Sequence, residues 1–152
     1  MKIALISASW HLDLLNVAKS SCVEELGKNK IAVDGDIDDF NVPGSLEIPL
    51  FALKLAQTRR YDGIIAFGLI VDGGIYRHEF VAQTVIDGLM RVQLDTGTPV
   101  FSCVLTPQSF HEHEEHIRFF KQHLAVKGRE VAKSCVTFID ALAAIDVPKT
   151  GD

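Results

Sequence analysis

At 152 residues, with 47% hydrophobic and 23% charged side chains, the chain is the size of one ordinary domain and has the composition of a compact protein, not a disordered one. A net charge of −5 argues against bulk nucleic-acid binding, although a local group of cations and backbone donors can still hold a phosphate. No apolar run approaches the ~20 residues of a membrane span, and the short run after Met1 reads as a strand without a cleavage site, so no membrane partner and a cytoplasmic location are expected.

Lys2 to Ala8 is a continuous apolar run suited to a strand covered on both faces. Leu14, Leu15, Ala18, Cys22, Val23 and Leu26 then recur at helical spacing up to Gly27. From Ile31 to Phe40, Val33, Ile37 and Phe40 alternate with acidic residues, which predicts a more exposed second strand at a sheet edge. Val42-Pro43-Gly44-Ser45 is a turn. It places Ser45 to cap a helix that carries Ile48, Leu50, Phe51, Leu53 and Leu55 and takes Pro49 in its first turn.

Tyr61 to Ile70 predicts a buried third strand, His78 to Leu94 a helix, and Pro99 to Leu105 a fourth strand. The remainder reads as two helices, His113 to Leu124 and Val126 to about Ile145, with Val131, Ala132, Cys135, Val136, Ile139, Leu142 and Ala143 on the apolar side of the second. The alternation of short apolar runs with longer amphipathic ones is a βαβ rhythm. The expected fold is α/β: a three-layer α/β/α sandwich around a four-stranded, mainly parallel, flavodoxin-like sheet. One domain spans 1–152, with a flexible tail from about 147.

Ligands of such sheets collect outside the carboxyl ends of the strands. The four loops there hold Ser9-Trp10-His11, Pro43-Gly44-Ser45-Leu46-Glu47, Asp72 to His78, and Thr106 to His113, so the residues with site chemistry converge where a site belongs. In the third loop, Gly73 and Gly74 let backbone N–H groups approach an anion, the following helix offers unpaired N–H groups, and Arg77 and His78 add donors. A plain strand-to-helix turn would use the same glycines. Trp10 offers a flat face to a heterocycle or anchors a core or interface. Glu47 is explained by the helix dipole alone, or it joins Ser45 in hydrogen bonds to a polyol.

His111, His113 and His116 sit among Glu112, Glu114 and Glu115, but their spacing matches no strong metal motif and reads as a solvated helix start, so no metal is expected. Lys127-Gly128-Arg129, near the start of the last helix, reads equally as a phosphate-binding group or as a solvated face. Cys22, Cys103 and Cys135 are odd in number and widely spaced, which predicts buried structural thiols.

Four features in order carry a resemblance: the aromatic Trp10 after the first strand, the Pro43-Gly44-Ser45-Leu46-Glu47-Ile48-Pro49 turn, the glycine loop before Arg77-His78, and the Lys127-Gly128 pair before the last helix. The chain resembles the lumazine synthases of riboflavin biosynthesis over nearly its whole length. That resemblance implies condensation of 5-amino-6-ribitylaminouracil with 3,4-dihydroxy-2-butanone 4-phosphate to 6,7-dimethyl-8-ribityllumazine, with loss of phosphate and water and with no cofactor. It implies that Trp10, with His11 beside it, stacks on the pyrimidine, and that Gly44, Ser45 and Glu47 meet the ribityl chain. Backbone groups of Ile70 and Val71 would meet the ring edge and Gly73 and Gly74 the phosphate, with Ser102, His123 and Lys127 as further substrate contacts.

The family's proton-transfer histidine falls on Arg77, with His78 displaced by one position. Either His78 swings into that role, or Arg77 holds phosphate and proton transfer is left to water or substrate. The family's later phosphate arginine has no clear match near Phe119 and Phe120, which points to Arg77, Lys127 and His123 as replacements. The loop from Asp72 to Phe80 resembles a divergent branch associated with decamers built from two pentamers. A homo-oligomer, pentamer or decamer, with sites between adjacent subunits is therefore expected, residues from Thr106 to Lys127 completing a neighbour's site. A low-activity or non-catalytic lumazine- or flavin-binding module is the alternative, and the Pro43–Pro49 turn disfavours a generic nucleotide-binding domain.

Overall fold

The computed structural model describes residues 1–107 and 113–145. Strands β1 (Ile3–Ala8), β2 (Ile37–Val42), β3 (Gly63–Leu69) and β4 (Val100–Leu105) form one wholly parallel sheet in the order β2-β1-β3-β4. The crossovers are helices α1 (Leu12–Lys28), α2 (Ile48–Gln57) and α3 (His78–Thr96), and α4 (Glu114–Ile145) follows the last strand. Central β1 and β3 are buried along their whole lengths, as strands covered on both faces must be. Ile3, Leu5, Ile6, Ile64, Ile65 and Phe67 are fully buried, each contributing roughly 1.5–3 kcal/mol by leaving water.

Helices α1 and α4 pack on each other over one face of the sheet, while α2 and α3 pack on each other over the other. The alternation along β3 shows the two layers. A Cβ on Gly63 would meet Ile139 of α4 at 2.8 Å, whereas one on Gly68 would meet the Ser45 hydroxyl at 2.9 Å and Ile48 of α2 at 3.5 Å. The three-layer α/β/α sandwich expected from the sequence is thus present. The sheet's amino end is tied by Asp38, which accepts from Lys2 Nζ at 2.7 Å and from the Tyr61 hydroxyl at 2.7 Å. Those two donors, Lys2 foremost, hold the Asp38 carboxyl below its usual range.

Three expectations are corrected. The second strand begins at Ile37, not Ile31, although it does take an edge. Ala32 to Asp36 is instead a turn closed reciprocally: the Ala32 N–H donates to the Asp36 carboxylate at 2.9 Å and the Asp36 N–H donates to the Ala32 carbonyl at 3.2 Å, with Gly35 at φ 103°. Asp36, counted above in a strand alternation, is spent on that turn.

Ser45 does not cap the next helix. Ser45–Glu47 forms a turn of 3-10 helix ahead of α2, with no side-chain cap bond, while Pro49 does stand in the first turn. The last two expected helices are one, α4. Nothing between Leu124 and Val126 breaks a helix, and Leu124, Gly128, Val131, Ala132 and Cys135 continue one buried stripe through the expected gap. The expected tail from about 147, and His111, lie outside the described residues.

Cys22, Cys103 and Cys135 are all buried and free. Burial raises every one of these thiols, Cys103 and Cys135 up to about 12, which leaves them inert as nucleophiles near neutral pH. Ser7, also fully buried in β1, has a hydroxyl without a hydrogen-bond partner among the described residues.

Candidate active site

Parallel pairing fixes where the loops emerge. Ala8 of β1 stands opposite Val42 of β2, Ser7 opposite Phe67 of β3, and Leu69 opposite Leu105 of β4, so the segments after all four strands leave from one edge. Ser9 fastens the first of these to the second. Its N–H and its hydroxyl both donate to the Val42 carbonyl, each at 2.9 Å. That brings Trp10 beside the segment in which Pro43 follows Val42.

Trp10 is 72% exposed, so its indole is not part of the core. His11 next to it takes the left-handed conformation, φ 56°, and its carbonyl accepts the N–H groups of Leu14 and Leu15 to open α1. The second loop folds over itself. A Cβ on Gly44 would lie 3.1 Å from Glu47 Oε2, so the carboxylate sits against the bare Cα of Gly44. Glu47 stands just ahead of α2 and makes no side-chain cap bond there, so the local feature that favours its carboxylate is the helix dipole. Ser45 lies over Gly68 of β3, where any larger residue would press on its hydroxyl. The Ser45–Glu47 turn also packs against α3.

The third loop begins where β3 ends. The Ile70 N–H donates to the Leu105 carbonyl at 2.9 Å, which leaves its carbonyl as the group it can offer a ligand, and Val71 is half-buried beyond it. Asp72 accepts the Gly74 N–H at 3.1 Å, closing a turn in which Gly74 has φ 74°. Gly73 has open space on its side-chain side. Ile75 and Tyr76 are strongly exposed.

Arg77 caps α3 through its backbone, and its guanidinium lies over the Phe80 ring, 5.2 Å from the centroid. His78, the first helical residue, has a side chain only 15% exposed, with Nδ1 3.6 Å from the Glu79 carboxylate. The two adjacent side chains therefore point apart, as residues at a helix start must. Phe80 was not among the residues singled out from the sequence. The signal for it was present, since an arginine and an aromatic three positions apart at a helix start share a face.

Trp10, His11, Gly44, Ser45, Glu47, Ile70, Val71, Gly73, Gly74, Arg77 and His78 thus lie on three loops of one sheet edge. Three predicted residues do not join them within the chain. Ser102 is in the middle of β4, where its hydroxyl accepts the Val104 N–H at 3.2 Å. His123 is exposed on α4, edge-on to Phe119 at 4.7 Å. Lys127 donates to Glu130 on the same helix at 2.7 Å, a pairing that raises the amine and lowers the carboxyl. The Gly128 next to it serves packing: a Cβ there would run into the backbone of Ala18 in α1. His113 is exposed and His116 lies tilted against Phe120, ring centroids 4.9 Å apart.

The arrangement offers a flat aromatic face, a carboxylate beside a hydroxyl, and a glycine turn leading to an arginine at a helix start. A planar heterocycle, a polyol and a phosphate are the chemistries that match those three parts. The family model for 6,7-dimethyl-8-ribityllumazine synthase matches residues 1–143. A 6,7-dimethyl-8-ribityllumazine synthase of Rhodococcus erythropolis is 52% identical over 147 residues, covering 95% of this chain and 92% of that protein. A protein of Bradyrhizobium diazoefficiens named 6,7-dimethyl-8-ribityllumazine synthase 2 is 54% identical over 134 residues, covering 88% of this chain and 79% of that one. A synthase of Methylobacillus flagellatus is 32% identical over 142 residues, covering 93% and 90%.

Proposed function

The chain belongs to the 6,7-dimethyl-8-ribityllumazine synthase family, and from that premise we propose how its residues carry the reaction. It is a transferase of riboflavin biosynthesis that joins 5-amino-6-ribitylaminouracil to 3,4-dihydroxy-2-butanone 4-phosphate, releasing phosphate and water. The observation that carries the assignment of roles is the meeting of Trp10, the Gly44–Glu47 turn and the Asp72–His78 loop on one sheet edge. Trp10 stacks on the pyrimidine. Ser45 and Glu47 fix the ribityl hydroxyls, and the Ile70 carbonyl and Val71 backbone meet the ring edge. The uracil amine is itself the nucleophile, so the protein's task is to hold two reactants together and to move protons.

Arg77 holds the phosphate and supports its departure, with proton transfer left to water or substrate. Its guanidinium is exposed and rests on an aromatic ring, whereas the His78 side chain is tucked in beside Glu79. A charged fork at the positive end of α3, next to the Gly73-Gly74 backbone, suits a leaving phosphate.

Ser102, His123 and Lys127 fit this scheme as contacts made to a neighbour's substrate. The homo-oligomer, a pentamer or decamer, has its sites between adjacent subunits. Ile86, Met90 and Leu94 recur every fourth residue on the exposed face of α3, and Leu46 and Leu50 are exposed on the turn and helix that pack against α3, an apolar surface that a monomer would leave in water. The three free buried thiols fit a reducing compartment, the cytoplasm. No helix of the described residues is long and apolar enough to cross a membrane.

Trp10 is the only tryptophan, so its emission reports the ring site alone. Titration with 5-amino-6-ribitylaminouracil should quench it saturably, and Glu47→Ala should weaken that quench about 5- to 10-fold by removing a charged hydrogen-bond acceptor for the polyol. Unchanged emission at saturating ligand would remove Trp10 from the ring site.

A further inference from the structure

We propose that Phe80 is a positioning residue: by stacking under Arg77 it holds the guanidinium ready for the substrate phosphate. This rests on the function proposed above. The Arg77 guanidinium lies 5.2 Å from the Phe80 ring centroid, and the Phe80 N–H donates to the Arg77 carbonyl at 3.0 Å, so backbone and side chain link the same two residues in the first turn of α3. Phe80 is 64% exposed and belongs to no core cluster, which leaves packing of the protomer as a poor reason for a phenyl ring there.

The stacking geometry matters chemically. A guanidinium gives its flat face to an aromatic ring and keeps its N–H donors in the plane of the fork, directed away from that ring. Contact with Phe80 therefore consumes none of the hydrogen bonds that would hold a phosphate. It does remove rotamer freedom that Arg77 would otherwise lose on binding. Without the ring, Asp72 and Glu79 are carboxylates close in sequence to which a released guanidinium can turn.

The test is a double-mutant cycle with Phe80→Leu, Phe80→Tyr, Arg77→Ala and the Arg77→Ala/Phe80→Leu pair. Two quantities are read: KM for 3,4-dihydroxy-2-butanone 4-phosphate, and the dissociation constant of inorganic phosphate by calorimetry. Phe80→Leu should raise both about three- to five-fold, leaving KM for the ribitylaminouracil and the thermal midpoint unchanged. Phe80→Tyr should restore wild-type values, because a tyrosine keeps the π face. In the Arg77→Ala background the Phe80→Leu change should have no further effect. Wild-type phosphate affinity in Phe80→Leu, or an equal loss whether or not Arg77 is present, would overturn the proposal. Absence of turnover in the wild type would instead count against the function, and the phosphate titration would still judge the Arg77–Phe80 pair.

Discussion

Gly128→Ala is expected to destabilise the protein by about 3 kcal/mol or more, the upper part of the range for forcing atoms into a packed interior. The alanine methyl has nowhere to go. At this crossing α4 approaches α1 backbone to backbone: an added Cβ would stand 2.8 Å from the Ala18 carbonyl carbon and 3.0 Å from its Cα, with the Ala18 carbonyl oxygen closer still. No flexible side chain can yield, so relief requires moving one helix off the other along the stripe of Leu124, Val131, Ala132 and Cys135. Gly27→Ala is the matched control. Gly27 lies in α1 with nothing within 4 Å of its added Cβ, and alanine there should be neutral or gain up to about 1 kcal/mol of helix propensity. Urea denaturation of both variants decides the matter, and a Gly128→Ala protein within 0.5 kcal/mol of wild type would show that the helices do not cross at this position.

Arg77→Ala should raise KM for the phosphorylated substrate about 10- to 100-fold, the worth of one or two charge-assisted hydrogen bonds, with a much smaller change in KM for the ribitylaminouracil. The asymmetry follows from the layout of the edge. Arg77 stands at the start of α3 after the Gly73-Gly74 turn, whereas the proposed ring stacking and polyol contacts come from the loops after β1 and β2, and the ring-edge contacts are backbone groups of Ile70 and Val71 that precede that turn. His78→Ala separates the competing reading. If His78 moves the proton, its loss lowers kcat with KM little changed, whereas on the present account kcat stays within a few-fold. Steady-state kinetics with each substrate varied in turn reads both outcomes, and unchanged KM and kcat in Arg77→Ala would end the clamp assignment.

The sheet was legible in the sequence because its signal is strong: three short apolar runs and one alternating stretch, separated by amphipathic segments, permit little besides parallel strands under helices. What was not legible depended on groups distant in the chain or on local hydrogen bonds that imitate another pattern. Asp36 looked like the polar half of a strand alternation and instead closes a turn with Ala32. Lys127-Gly128-Arg129 read equally as a phosphate-binding group or as a solvated face near a helix start, yet Gly128 lets α4 touch Ala18, a contact across more than a hundred residues that no local spacing announces. At the candidate site, the loops were inferred from their place after strands, and the motif from Pro43 to Pro49, in order with Trp10, the glycine loop and Lys127-Gly128, carried the family resemblance. The stacking of Arg77 on Phe80 needed coordinates, because a shared helix face says only that two side chains can meet.

Formation of 6,7-dimethyl-8-ribityllumazine from the two substrates is the measurement that bears most directly on the central claim, followed by product fluorescence beside a riboflavin titration of the same protein. The account predicts a rate well above the uncatalysed background that saturates in both substrates. Tight riboflavin binding with no acceleration over that background would contradict it and mark the chain as a flavin-binding module.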